Sequence, residues 1–472
     1  MKGDISMIND YQQFHPLYCI SPLDGRYYNK TKELRPYVSE AGLIQRRVMA
    51  ECLYFQMLSS VGVIRQLTAT EVKLLKKIHL EMSFEDLLSV KEIEKETNHD
   101  VKSVEVWLRN YFSETTLADL TGYFHFSLTS EDINNVAYRL QLQNAKNDII
   151  VPLIDEIIKL LMGFATKYKS IPMLGRTHGQ AAIPTTVGKE FSNFAIRLAR
   201  ENQKLRKFKL TGKINGAIGC YNAQKLLMPN INWFQFSKEY CSKLGLKCNL
   251  FTTQINAPED IIECFQIIQR INGITLDFCQ DNWRYISDDW FKQKKKEGET
   301  GSSTMAQKVN PIDGENSEAN SQMSSAIIAG MAAKLSISRL QRDLTDSSTL
   351  RNIGTILGYS LVSFKSVLAA LGKISPNETV INTALENNWA ILSEAVQLFL
   401  KMYSSVEDPY TLVKNFFRGE KINQEQYLTY VETLPVESEI KQILKELTPF
   451  NYLGLTENLV ILAEEEIMNC QL

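Results

Sequence analysis

Two histidines and a pair of serines are the residues of this chain best placed to move protons. His178 lies in the polar run Gly175-Arg176-Thr177-His178-Gly179-Gln180, ahead of a helix that the pattern starts near Pro184. An imidazole beside glycine in a turn reaches a cleft and gives or takes a proton near neutral pH. A hydrogen-bonded structural histidine suits the same residues equally well. His99 lies in Thr97-Asn98-His99-Asp100-Val101-Lys102, where Asn98 is placed to cap the helix that carries Val101, Val104 and Leu108. Its polar neighbours suit either a ligand or a helix cap. Ser302 and Ser303 follow Gly301 in the stretch 298–311, GETGSSTMAQKVNP, with Lys308 a few residues on. Asn310 reads as a helix N-cap with Pro311 in the first turn. A loop ending on a helix N-terminus offers N–H groups and a positive dipole end to an anion, and Lys308 adds a charge. By composition alone, a polar connector is the simpler reading.

Other residues suit anion binding. Arg26 and Tyr27 follow the turn-forming run Ser21-Pro22-Leu23-Asp24-Gly25, and pair a bidentate fork with a hydroxyl. The stretch 338–351, SRLQRDLTDSSTLR, sets Arg339, Arg342 and Arg351 among hydroxyls such as Ser347. Its plain alternative is a solvated helix face. Thr129 and Ser130, with Asp132 three residues after the threonine, read as a helix start and as a place for a carboxylate. His125, between aromatic residues, reads as a core or supporting histidine. The five histidines show no metal-ligand spacing and no HExxH, so no metal is expected.

Helices must position these groups. Apolar residues recur at helical spacing over 133–164 (Ile133, Val136, Leu140 to Phe164), 187–205, 261–286, 323–340 (Met323, Ile327, Met331, Leu335) and 353–371. Five such segments with few alternating patterns between them predict an all-α fold built on a long central helical bundle. The Gly-rich run 210–225 breaks the pattern and reads as a small turn or hairpin. The chain is expected to divide into 1–120, 121–371 and 372–472, the last set off by the turn Lys373-Ile374-Ser375-Pro376-Asn377.

Bulk properties exclude several classes. The 472 residues are 44% hydrophobic and 22% charged, with a net charge of −2, which gives no electrostatic case for nucleic acid. No run of 18 or more apolar residues is seen, so no membrane span is expected. The first residues lack the apolar stretch of a secretory signal, and the eight scattered cysteines form no C-x-x-C pair. A cytoplasmic protein with reduced thiols is the expectation.

The loop motif resembles the GSSxMPxKxNP signature of the fumarase/aspartase superfamily, lyases that release fumarate, with Ala306 in place of its proline. RTHGQ at 176–180 resembles the superfamily's second signature region. The segments SPLDGRY, TNHDVK, TTQI (around Gln254) and SRLQRDLTDSSTLRN are similar to those of the adenylosuccinate lyase family, and the likeness spans nearly the whole chain. It implies a three-domain, all-α fold assembling as a homotetramer whose active sites draw on three subunits. It implies β-elimination of fumarate from purine nucleotide substrates, adenylosuccinate and succinylaminoimidazole carboxamide ribotide, with no cofactor. By that likeness His178 is the general acid, His99 supports it and contacts substrate, and Ser302 is the base, with Ser303 able to share the work. Arg26, Tyr27, Asn98, Asp100, Thr129, Ser130, Gln254, Lys308, Asn310, Asn316, Arg342, Ser347 and Arg351 are carried over as binding groups. A serine hydroxyl is far too weak a base at neutral pH unless a closed loop excludes water and N–H groups with Lys308 hold the alkoxide. Two rival readings stand beside this one: another fumarate-releasing lyase such as argininosuccinate lyase, and a non-catalytic helical scaffold.

Overall fold

The computed structural model describes residues 15–294, 305 and 307–471. The fold is all-α, and the strands among the described residues form three two-stranded ladders. Compactness divides the chain into two units. The first holds the described residues up to Leu153 with Lys204–Gly273 and Ala319–Ser363, and the second holds Ile154–Gln203, Ile274–Glu318 and the chain from Phe364 onward.

The periodic segments are helices. Ser130–Ala145 continues through a π turn at Lys146–Ile150 into Val151–Lys167, followed by Val187–Lys207, Glu259–Ser287, Ile312–Leu335 and Ile353–Leu371. In the first unit, Ser130–Ala145 is buried on nearly every side, polar residues included. Those polar groups have partners. Arg139 makes a two-pronged bond to Asp260 at 2.8 and 2.9 Å, and Asn135 exchanges bonds with the backbone of Lys213 at 3.0 Å. A helix surrounded by protein can carry such residues only when each is paired.

The Ile312–Leu335 helix differs from its sequence pattern. It starts earlier and stops at Leu335, and Met323 is 49% exposed rather than in the core. Its inward face within the first unit is Ser321, Ser324, Ile328, Met331 and Leu335. Ser324 Oγ lies 2.9 Å from Ser360 Oγ, Ser321 Oγ lies 2.7 Å from Ser363 Oγ, and Asn272 donates to Ser360 at 3.1 Å. Small hydroxyl side chains that satisfy one another let helices approach closely, and an apolar-periodicity reading misses such a face.

One stretch, Thr345–Leu371, holds a window whose mean hydropathy of 1.5 is high enough to cross a membrane, although polar residues interrupt it and it contains no unbroken run of 18 apolar residues. That window is 67% buried within the protein, as in a core helix.

The Gly-rich run is not a hairpin. Thr211–Gly212 pairs in parallel with Lys247–Cys248, and a helix follows at Asn222–Leu227. In the second unit the residues after Gly175 are also unlike their sequence reading. Pro172–Thr177 and Gln180–Thr186 form an antiparallel hairpin, and the helix begins at Val187 rather than near Pro184. The β-branched run Ile183, Thr185, Thr186 favours strand over helix here.

That hairpin returns the chain against the end of the preceding helix. The N–H of Val187 reaches Ile171 O at 3.0 Å, and that of Gly188 reaches Tyr168 O at 3.1 Å. A Cβ on Gly188 would stand 2.4 Å from both Ala165 O and Lys169 Cα. Backbone cannot yield as a flexible side chain does, so Gly188→Ala is expected to cost about 1–3 kcal/mol. A thermal unfolding temperature equal to that of the wild type would contradict this packing.

Candidate active site

The site in the first unit is built on the start of the Ser130–Ala145 helix. Asp132, wholly buried, accepts the N–H of Thr129 at 2.9 Å and that of Gly216 at 3.2 Å, and pairs with the wholly buried Lys213 at 3.0 Å. Thr129 and Asp132 thus form the cap that the sequence implied, and the same carboxylate fastens the 213–216 loop beneath it. Around this start stand the other candidates. Gln254 Nε2 lies 3.5 Å from Thr129 Oγ1, and Ser130 Oγ lies 3.4 Å from His99 Nε2. The loop carrying Gln254 is held on both sides: Asn215 bonds Thr252 Oγ1 at 2.8 Å, and Asn256 bonds Thr211 Oγ1 at 3.0 Å.

His99, and not Asn98, caps its helix. The Asp100–Phe112 helix begins with the N–H of Lys102 donating to His99 Nδ1 at 3.2 Å. Asn98 closes the preceding helix instead, in the left-handed conformation at φ 49°, which asparagine tolerates better than most residues. The acceptor role of Nδ1 puts the proton of neutral His99 on Nε2, facing Ser130. The side chain of His99 is 47% exposed, open to a ligand.

Asp100 sits behind His99. It pairs with Arg47 at 2.5 Å and with Arg351 at 3.5 Å. Burial opposes its ionisation, but Arg47, with Arg351 and His99, holds the carboxyl below its usual range. Arg342 pairs with Glu131 at 2.9 Å and donates to Ser347 at 3.2 Å. Its Nε is buried without a hydrogen-bond partner among the described residues. Arg351 lines a cavity of about 220 Å³ with Ser21, Asp24, Arg35 and Ser39, which sets the turn ahead of Arg26 and Tyr27 beside it. Arg26 is exposed and Tyr27 half-buried.

In the second unit, His178 and Gly179 form the two-residue tip of the hairpin, at φ 53° and 73° between the paired residues Thr177 and Gln180. Two successive positive φ values make the tight turn that matches strand twist. His178 is exposed, and Arg176 braces the turn by donating to Gly179 O at 3.3 Å. Lys308 is exposed, with its N–H bonded to Met305 O at 3.1 Å, and Gln293 holds Val309 O at 3.0 Å. The helix after this loop begins at Ile312, so Asn310 precedes the cap position instead of occupying it. Asn316 donates to Ser366 Oγ at 2.7 Å and is partly turned into the fold. Ser302, Ser303 and Ala306 lie outside the described residues.

Comparison with known proteins now decides the family. Residues 25–328 match the lyase family model, and residues 338–453 match the adenylosuccinate lyase C-terminal model. The chain is 41% identical to adenylosuccinate lyase of Escherichia coli (strain K12) over 442 residues, 93% of this chain and 97% of that one. It is 42% identical to the adenylosuccinate lyase of Legionella pneumophila (strain Corby) over 448 residues, 94% and 98% of the two chains. The chain belongs to the adenylosuccinate lyase family. Its fold is similar to that of a fumarate lyase from Mesorhizobium sp. BNC1, with a TM-score of 0.75 at 18% identity over 92% of this chain and 97% of that one. A 3-carboxy-cis,cis-muconate lactonizing enzyme from Pseudomonas putida also gives 0.75, at 16% identity over 93% and 98%.

In this member of the adenylosuccinate lyase family, several residues that support the site carried no motif. Arg47, Glu131, Asn134 and Lys213 are buried polar groups in or beside helices. Their one sequence signal is polarity at core positions, such as Asp132, Asn134 and Asn135 around Ile133. His125 behaves as the supporting residue expected of it. Its ring bonds Glu51 at 2.5 Å, and its N–H bonds the same carboxylate at 3.1 Å.

That pair has a pH signature. Burial works to lower the pKa of His125, but Glu51 outweighs it and the net shift is upward. A folded value above the unfolded one makes the contribution complete below about pH 6.5, fading as pH rises through the folded value. Glu51→Gln is expected to lower the unfolding temperature most under mildly acidic conditions, with the gap from wild type closing toward alkaline pH. A gap that widens as pH rises would reverse this reading of the pair.

Proposed function

We propose that the protein catalyses β-elimination of fumarate from adenylosuccinate, leaving AMP, and from succinylaminoimidazole carboxamide ribotide, leaving the aminoimidazole carboxamide nucleotide. The observation that carries this reading is the convergence of His99, Thr129, Ser130 and Gln254 on one helix start, with Arg342 and Arg351 held on the same unit. A substrate with one phosphate and two carboxylates needs such donors. The helix start also brings a positive dipole end to a carboxylate.

The chemistry removes a proton from the carbon next to one carboxylate, places the charge on that carboxylate, breaks the carbon–nitrogen bond and protonates the departing nitrogen. Ser302 is the base in this reading, with Ser303 beside it and Lys308 and Asn310 stabilising the alkoxide and the charged intermediate. His178 is the acid. His99, with its Nε2 proton, orients the succinyl arm or the acid, and Asn98 and Asp100 hold His99 in place. Arg26, Tyr27, Arg342, Ser347 and Arg351 take the phosphate and carboxylates, and Asn316 supports the loop from its helix. No cofactor takes part.

The three-part division at about residues 120 and 371 belongs to this reading, as do a cytoplasmic setting and a homotetramer with shared sites. Long helices that expose Leu160, Trp283 and Met323, each more than 40% accessible, favour burial against further copies. A hairpin that carries an exposed His178 suits a group offered to a neighbouring subunit's site.

Purified protein mixed with adenylosuccinate is expected to release fumarate, followed by the fall in purine absorbance. His178→Ala and Ser302→Ala are each expected to bind substrate as oligomers yet turn over about 10²–10⁴-fold more slowly. Near-normal turnover in Ser302→Ala would remove that serine from the base role. Fumarate from argininosuccinate alone would move the protein to a different member of the superfamily.

A further inference from the structure

We propose that Arg47 is a positioning residue, which locks the two anion-binding arginines and His99 into one frame through a hydrogen-bonded chain that is buried at its centre and exposed at its Arg351 end. The chain runs Arg351, Asp100, Arg47, Asn134, Glu131, Arg342. The proposal rests on the reading of this site as a fumarate-releasing centre. Every link lies within the first unit. Arg351 Nη2 is 3.5 Å from Asp100 Oδ2, and Arg47 Nη2 donates to the same oxygen at 2.5 Å. Arg47 Nε donates to Asn134 Oδ1 at 2.9 Å, and Asn134 Nδ2 donates to Glu131 Oε1 at 3.1 Å. Glu131 Oε1 then pairs with Arg342 Nη2 at 2.9 Å.

Arg47 is the hub. Its side chain is 1% exposed, so it cannot itself be a ligand for a substrate in solution. Its fork spans two elements at fixed angles, the helix start behind His99 and the helix start that carries Thr129 and Ser130. A lysine supplies the charge without that geometry. Both ends of the chain are arginines with binding roles in the proposed function, and Arg342 keeps a buried unpartnered Nε. Asp100 follows His99 directly, so a shift of Arg47 moves the imidazole as well as Arg351. The chain also links charge to rate. Asp100 faces Arg47 from the Glu40–Ser60 helix, Arg351 after the Thr345–Leu350 helix, Tyr138 from the Ser130–Ala145 helix, and His99 beside it. Of these, Arg47 is the principal group holding Asp100 ionised. A neutral Asp100 would leave Arg351 held by Glu40 alone, at 3.2 Å, and cut its link to Arg47.

The test compares wild type, Arg47→Met and Arg47→Lys in the full-length enzyme, with thermal unfolding as a check on folding and kcat/KM for adenylosuccinate measured across pH. Arg47→Met removes both charge and fork. Its kcat/KM is expected to fall about 100-fold, the scale of a misplaced catalytic frame. Its acid limb is expected to move toward neutrality, because Asp100 loses the principal cation that keeps it ionised. Arg47→Lys keeps the charge, so its acid limb stays near that of wild type while kcat/KM remains at least about tenfold down. A folded Arg47→Met enzyme with an unmoved acid limb, or with kcat/KM within about threefold of wild type, would overturn the proposal. Should Arg47→Met not fold, Arg47→Lys decides alone: a loss of about tenfold or more with the limb in place supports the proposal, and a smaller loss overturns it. A wild type that releases no fumarate removes the functional reading and this assignment together, whereas an active wild type with indifferent variants removes this assignment only.

Discussion

A carboxylate with no exposure to water organises the first unit. Asp132 takes the N–H of Thr129, the N–H of Gly216 and the ammonium of Lys213. A buried carboxylate is tolerated only when its lone pairs are met, and a buried ammonium only beside an opposite charge. Each group therefore fixes the other. The cost of separating them holds a helix start, a glycine-containing loop and the Thr252–Gln254 segment in one arrangement. The polar groups around that start inherit their positions from it.

The same logic governs the surrounding cations. Arg342 and Arg351 are not loose side chains: Glu131 holds one, and Glu40 with Asp100 holds the other. Each guanidinium keeps some of its five donors for a partner, while the carboxylates set its direction. Pre-set direction reduces the ordering cost of binding an anion. It also tempers the field of the site, because each arginine arrives partly neutralised. A ligand with several negative charges can compensate for that, whereas one with a single charge cannot compete as well.

Much of this was legible in the sequence, and the rest was hidden for physical reasons. Long amphipathic helices declare themselves by spacing, and the Thr129–Asp132 cap by residue type. The short motifs led to His99, Ser130, Gln254 and Arg342, which the fold brings into one unit. The hairpin around His178 was hidden because its strands are short and its pairing is set by a turn. His99 took the capping role assigned to Asn98 because the left-handed residue between two helices must close the first before the second can start. The inward face of Ile312–Leu335 begins with the serines Ser321 and Ser324, which hydropathy patterns place outside, before Ile328, Met331 and Leu335 continue it. Arg47 and Lys213 escaped notice because charged residues are by default assigned to the surface.

The hairpin tip also limits what chemistry that position can carry. His178 occupies a backbone region that most side chains enter only under strain, and glycine, asparagine, aspartate and histidine accept more readily. Of those four, histidine alone changes charge near neutral pH without help from its surroundings. The shape of the main chain thus filters the alphabet before reactivity does. A lysine or glutamate with a suitably tuned acidity would enter that region only at a conformational cost of about 1–2 kcal/mol.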